Sequence, residues 1–218
     1  MAVPVSRSRC GAGGAAGSGA GGRVCGLDEA GRGPLAGPVC AAAVILPADF
    51  PPDLLGDSKK LSAGKREKAM RAIYLSALAW GIGWVSAAEI DRINIHRASL
   101  LAMRRAFLEM AAGFAGTPGF PSSALSGIAD GKFVPDIPIP CKALVRADGL
   151  VPEVMAASIL AKTARDRLMK RYSWIYPEYG YDGHKGYPTK EHYARLARYG
   201  PSPIQRMSFR WRPEPWLV

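Results

Sequence analysis

Asp28, Glu29, Asp130 and Asp148 are the residues of this 218-residue chain whose type and placement could do chemistry. Asp28, Asp130 and Asp148 each close an apolar, strand-like run, and the last two pass straight into glycine. Ligands gather beyond the strand ends of α/β sheets, so acids from separate strands can converge there. Converging carboxylates repel and raise one another's pKa unless something neutralises them. Hard divalent cations take oxygen ligands, and Mg²⁺ ordinarily uses one or two carboxylates plus waters and substrate phosphates. Four acids suit a pair of such ions about 3.5–4 Å apart, clamping the attacking and leaving oxygens of a phosphodiester. An Asp-Gly pair alone is a turn signal, because Asp bonds its own backbone there. The weight lies in the four acids together.

Asp28 and Glu29 are neighbours, and neighbours in a strand point to opposite faces. Both serve one site only if the strand stops there and the chain turns, a freedom that Gly31 and Gly33 supply. Gly31-Arg32-Gly33 can bring bare backbone and a guanidinium up to a sugar-phosphate. With Gly37 it nearly spells a dinucleotide fingerprint, but the last gap is one residue too long, and the acids ahead would repel a pyrophosphate. Lys59 and Lys60 offer paired ammonium groups for phosphate. His184-Lys185-Gly186-Tyr187-Pro188 sets an aromatic ring beside cations, where it can stack on a sugar or base. No G-x-S-x-G or P-loop spacing occurs, and none of the three histidines has an evident nucleophile partner. The same scarcity of histidine, with no C-x-x-C pair, leaves a zinc site unsupported.

The elements that must position these groups read as a layered α/β domain with a mixed sheet. Residues 23–28 form a strand, and 39–46 a second, apolar at nearly every position and so buried on both faces. Few turn residues separate them, which predicts an antiparallel pair. Ser62 caps a helix over 65–79, and 80–85 is a third strand. Asn94 opens a long helix with Leu100, Met103, Phe107 and Met110 on one stripe. Strands follow at 125–130 and 142–147, the latter ending at Asp148-Gly149. Pro152 begins a helix to about 173, with Val154, Ala157, Ala161, Ala164 and Leu168 on one face. Thr189 caps a last helix that Gly200-Pro201 stops.

Composition bounds the partner. The chain carries 29 Lys+Arg against 18 Asp+Glu, a net of +11. Residues 161–218 hold 12 of the basic and 5 of the acidic side chains, so the C-terminal third suits a phosphate backbone. Residues 1–22 are Gly- and Ala-rich without an acid, and read as a flexible tail that cannot offset its ordering entropy. Cys10, Cys25, Cys40 and Cys141 lack paired spacing, and two of them lie in apolar runs, which predicts free thiols in a reducing, cytoplasmic setting. The longest apolar run, 39–46, is far short of the ~20 residues that a membrane-spanning helix needs.

Six ordered blocks then resemble one family, the type 2 ribonucleases H, in the ribonuclease HII branch. D-E-x-G-R-G-P-L-x-G is matched at 28–37, D-S-K-K-L-S at 57–62, and N-I-x-x-A-S-L-x-A-M at 94–103. Asp130-Gly131 follows, then Asp148 ahead of V-P-E-x-x-A-A-S-I-x-A-K at 151–162, and H-K-G-Y-P-T at 184–189. The likeness spans about residues 24–209. It implies a ribonuclease H-like mixed β-sheet flanked by helices, with a small helical C-terminal part at about 177–218 that binds substrate, so that 23–218 form one catalytic domain. It implies a monomeric endonuclease that cuts the RNA of RNA–DNA hybrids and cuts 5′ of single ribonucleotides embedded in duplex DNA. Asp28, Glu29, Asp130 and Asp148 would be the catalytic acids, holding two Mg²⁺ or Mn²⁺ ions. Gly31, Arg32 and Gly33 would read the ribose 2′-OH, the group that separates RNA from DNA. Tyr187 would pack against the following deoxyribose, and Lys59 and Lys60 would lie at phosphate. Asp148 ahead of the helix resembles the HII type, whereas the sister HIII type carries a glutamate within it. Two positions depart from the family pattern: Ala147 stands where glycine is usual, and Met207 where arginine is. The rival readings are a hybrid-binding protein without catalysis, against which all four acids argue, and a nuclease acting on DNA, against which Gly-Arg-Gly and Tyr187 argue.

Overall fold

Val39–Ile45 reads Val-Cys-Ala-Ala-Ala-Val-Ile, and every residue of it is buried. A strand with no polar face has to lie inside a sheet covered on both sides. In the computed structural model, which describes residues 22–56, 61–114 and 125–210, this strand, β2, is central to such a sheet. It pairs antiparallel with β1 (Arg23–Ala30) and with β3 (Ala79–Val85). β1 pairs parallel with β4 (Leu125–Asp130), and β4 parallel with β5 (Cys141–Leu144), giving the order β3-β2-β1-β4-β5. The mixed sheet and its opening antiparallel pair are those that the sequence predicts.

Helices cover both faces. Val39, Ala41, Ala43 and Ile45 share a core with α3 (Ile95–Phe114). Cys40, Ala42 and Val44 pack with α1 (Ala63–Ser76) and α4 (Pro152–Ile175). Small residues let these helices approach. A Cβ on Gly83 would run into the carbonyl oxygen of Ala102, one on Gly81 into that of Ala106, and one on Gly26 into the backbone of Glu153 at the start of α4. Cys25 and Cys40 are buried free thiols, as their apolar runs predict. A third cluster joins Leu35, Met169, Tyr179, Tyr181 and Leu196, so that a one-turn helix α5 (Tyr181–His184) and α6 (Lys190–Tyr199) dock on the end of α4. Among the described residues no helix is long and apolar enough to cross a membrane.

Several boundaries differ from expectation, each for a physical reason. α1 ends at Ser76, not 79, because the Leu78 N–H already donates to the Ile45 carbonyl at 2.9 Å as β3 begins. A helix α2 (Ala87–Ile93) precedes the long one, held by a capping box between Ser86 and Glu89. Asn94 therefore does two jobs: it closes α2 at φ 65° and its side chain accepts the Arg97 N–H at 3.1 Å to start α3. β5 stops at Leu144, three residues short of the expected 147. Arg146 takes the left-handed conformation, φ 62°, and throws the chain into a 3-10 turn over Ala147–Gly149. Asp148 thus sits in a turn rather than at a strand end. The Gly/Ala tail (save Gly22), the Lys59–Lys60 pair and residues 115–124 and 211–218 lie outside the described residues.

Gly83→Val should lower stability by about 3 kcal/mol, because overpacking forces backbone apart. Gly64→Ala, with open space around it, should stay within about 0.5 kcal/mol of the parent. Urea unfolding midpoints of both variants check this.

Candidate active site

The parallel register Leu27↔Ala129 sets the geometry of the acids. Leu27 and Ala129 both face the α3 core, so the next residues, Asp28 and Asp130, both face the α4 side, next to each other. Neighbouring strands lie about 4.8 Å apart, so two like charges here are close neighbours. Asp28 is 5% exposed. Its carboxylate accepts the Glu29 N–H at 2.7 Å, and Ser158 of α4 hydrogen-bonds it as well. Asp130 accepts the Ala147 N–H at 2.8 Å, which ties it to the turn that carries Asp148. Glu29 accepts a hydrogen bond from Arg32 at 3.2 Å.

β1 does not stop at Asp28, where the sequence predicts its end for two acids serving one site. It runs on to Ala30, with Asp28 opposite Ala42 and Glu29 opposite Ala41. The two acids still line one cavity, because the Asp28 carboxylate reaches forward to the next N–H and the cavity wraps the end of the strand. That cavity, about 480 Å³, is lined by Asp28, Glu29, Gly31, Arg32, Gly33, Asp130 and Tyr187. Arg66, Ser158 and Lys162 line it too, and none of them was singled out from the sequence. Among the described residues that line the cavity Asp148 is not found; it lies half-buried in the turn beside it.

Burial pushes the Asp28 carboxyl well above the usual range, and the Glu29 and Asp130 charges push it further, against the hydrogen bonds from Ser158 and the Glu29 N–H. Burial also raises Glu29, with Arg32 pulling it back and Asp130 adding to the rise. Neighbouring buried carboxylates in this state are relieved by a cation. Among the described residues no three Asp, Glu, His or Cys side chains form a ready-made metal cage. This donor set fits an ion completed by water and phosphate oxygens, as Mg²⁺ prefers.

The loop after β1 is held from beneath by two arginines that the sequence reading passed over. Arg206, fully buried, donates to the carbonyls of Gly31 at 2.6 Å, Arg32 at 2.9 Å and Gly37 at 2.8 Å. Arg165 donates to Ala36 at 3.1 Å, Pro38 at 3.0 Å and Lys185 at 3.1 Å. A signal for Arg165 existed: it follows Ala157 and Ala161 at steps of four, a charge on the buried stripe of α4. At the two departures from the family pattern the backbone is free of positive φ. Ala147 is buried and it is Arg146 that takes the left-handed turn, while Met207 is 56% exposed.

Tyr187 stands across from the loop, its ring edge 3.7 Å from where a Cβ on Gly33 would lie. Its own turn rests on two stacked histidines, His184 and His192, with ring centroids 4.4 Å apart. His184 Nδ1 accepts the Gly186 N–H, so its Nε2–H donates to the Tyr179 carbonyl. His192 Nδ1–H donates to the Tyr187 carbonyl at 3.0 Å.

A five-stranded mixed sheet with helices on both faces and acids at the ends of two parallel central strands defines a ribonuclease H-like fold. The sequence matches the family model for Ribonuclease HII over residues 25–211. Ribonuclease HII of Treponema denticola is 55% identical over 193 residues, covering 85% of this chain and 97% of that protein. The chain in the PCNA:RNase HII complex from Archaeoglobus fulgidus superposes with a TM-score of 0.66 at 25% identity, over 88% of this chain and 97% of that one. Bst-RNase HIII, solved in complex with Mn²⁺, gives a TM-score of 0.67 at 18% identity, over 86% of this chain and 67% of that one. The chain belongs to the ribonuclease HII family: endoribonucleases that cleave RNA in RNA–DNA hybrids and at ribonucleotides embedded in DNA.

Burial pulls His192 from the ordinary 6.5 down to about 4, with His184 adding to the effect. A group kept neutral in the fold takes up its proton first in the unfolded chain. Stability should therefore fall as pH drops from about 6.5 towards about 4. His192→Asn, which keeps an N–H donor, should flatten that part of the melting-temperature profile. An unchanged profile would count against the neutral histidine stack.

Proposed function

We propose that Asp28, Glu29, Asp130 and Asp148 hold a pair of divalent ions, Mg²⁺ or Mn²⁺, and that Gly31, Arg32, Gly33 and Tyr187 choose the phosphodiester presented to them. One observation carries this reading. Asp28, buried, and Asp130, half-buried, lie next to each other on one face and open on a cavity whose other walls are the Gly31–Gly33 backbone and Tyr187. Asp148 joins from the turn whose first N–H, that of Ala147, already anchors Asp130.

Bound divalent ions supply a nucleophilic water near neutral pH and offset charge on the departing 3′-oxygen. The protein's own groups do the rest. Ser158 and the Glu29 N–H orient Asp28, and the Ala147 N–H orients Asp130, so that neither carboxylate swings away. Arg32 holds Glu29 while half-exposed at the rim, where it can also meet phosphate. Lys162 and Arg66 add positive charge to the same cavity, and Lys59 and Lys60 are the expected phosphate contacts outside the described residues. Glycines at 31 and 33 let backbone approach a ribose closely, and the Tyr187 face suits the next, deoxyribose, sugar. Free thiols at Cys25, Cys40 and Cys141 support a cytoplasmic enzyme.

Cleavage of a DNA duplex holding one ribonucleotide, with and without divalent metal, tests the reading. Products should carry a 5′-phosphate on the ribonucleotide and a 3′-hydroxyl upstream; a 2′,3′-cyclic phosphate would mean that the 2′-OH attacked instead. Asp28→Asn and Asp130→Asn should each lower kcat on the order of 10²-fold or more with hybrid binding retained.

A further inference from the structure

We propose that Arg165 is a positioning residue for substrate choice, fixing the gap between the Gly31–Gly33 backbone and Tyr187. The proposal rests on the reading of those residues as the sugar-recognising pair. Arg165 is 1% exposed and sits in the middle of α4, away from the acids' own hydrogen bonds. Its hydrogen bonds all go to backbone carbonyls, and they join two segments that are distant in sequence. Nε–H and Nη2–H donate to Pro38 and Ala36 of the loop after β1, and Nη1–H donates to Lys185, two residues before Tyr187. The Leu35 N–H to Gly186 carbonyl bond, 2.8 Å, closes the same seam.

Both sugar-facing parts rest directly on this guanidinium. Gly31, at φ 100°, has no room for a Cβ because the Arg165 Nε and Cδ occupy that space. The Tyr187 ring centroid lies 5.9 Å from Arg165 Cζ. A buried guanidinium without a hydrogen-bonded carboxylate is an expensive way to fill space, and an apolar side chain of similar volume would pack at lower cost. What an apolar side chain cannot do is fix a distance. A planar fork with donors on several edges can, because each carbonyl has one favoured direction. Arg206 bonds carbonyls of the loop alone, at Gly31, Arg32 and Gly37, so it shapes the loop without linking it to the Tyr187 turn.

The consequence is selective. On a single embedded ribonucleotide the sugar after it is a deoxyribose, and the spacing to Tyr187 counts. On a continuous hybrid the next sugar carries a hydroxyl, and that contact contributes less. Arg165→Lys keeps the charge and loses the fork. Misplacement of about 1 Å can cost up to ~10²-fold, so kcat/KM on the single-ribonucleotide duplex should fall by about 10-fold or more, and on a continuous hybrid by less than about 3-fold. In a Tyr187→Ala background the same change should have little further effect on the ratio of the two. Equal loss on both substrates, no loss, or full additivity with Tyr187→Ala would overturn the proposal. If Tyr187→Ala alone leaves the ratio unchanged, the sugar-recognition reading itself falls and this proposal with it. Should Arg165→Lys fail to fold, Arg165→Gln carries the same comparison with the same outcomes.

Discussion

Two carboxylates, one buried and one half-buried, are held side by side against their own repulsion, and much of the molecule is arranged around that fact. The parallel register of β1 and β4 forces Asp28 and Asp130 onto one face as neighbours. Burial and proximity push Asp28 towards its neutral form. Ser158 and the Glu29 N–H donate to Asp28 and favour its charged form, and the Ala147 N–H donates to Asp130. These bonds orient the carboxylates without neutralising them, so the site is left with an affinity for positive charge. Arg32, Lys162 and Arg66 stand around the cavity, which suits a polyanion brought in with its ions.

The donor from Ser158 depends on how closely α4 can lie on the sheet. Gly26 leaves space for the start of α4, and Ala42 continues that shallow surface. On the opposite face Gly81 and Gly83 do the same for α3. A larger side chain at Gly26 would lift α4 and remove Ser158 and Lys162 from the site. The small residues beneath α4 are therefore requirements of the site as much as of the core.

α4 then does a second task further along. Its buried Arg165, with Arg206 from the chain end, binds six backbone carbonyls of the loop after β1 and the turn before Tyr187. Loops of this kind are usually mobile surface segments. Here the carbonyls that would otherwise face water are bonded to buried cations, and the loop presents its glycine backbone in one shape.

Much of this was legible in the chain. The acids were marked by their places at the ends of apolar runs, β2 by its lack of a polar face, and the sheet class by the alternation of elements. Those signals are local: period, capping and turn chemistry act over a few residues. Three outcomes were not local. β1 continues past Asp28 because β2 offers it partners as far as Cys40. Asp148 lies in the turn beside the cavity instead of at its wall. Arg165 and Arg206 look like solvated charges in the sequence, since a cation's value when buried depends on carbonyls 20–175 residues away. The sequence alone determined which acids, glycines and aromatic ring this protein has and which elements carry them. Tertiary structure decided which of them share one cavity and what holds them there, because hydrogen bonds and burial between distant segments exist only once the sheet and α4 have come together.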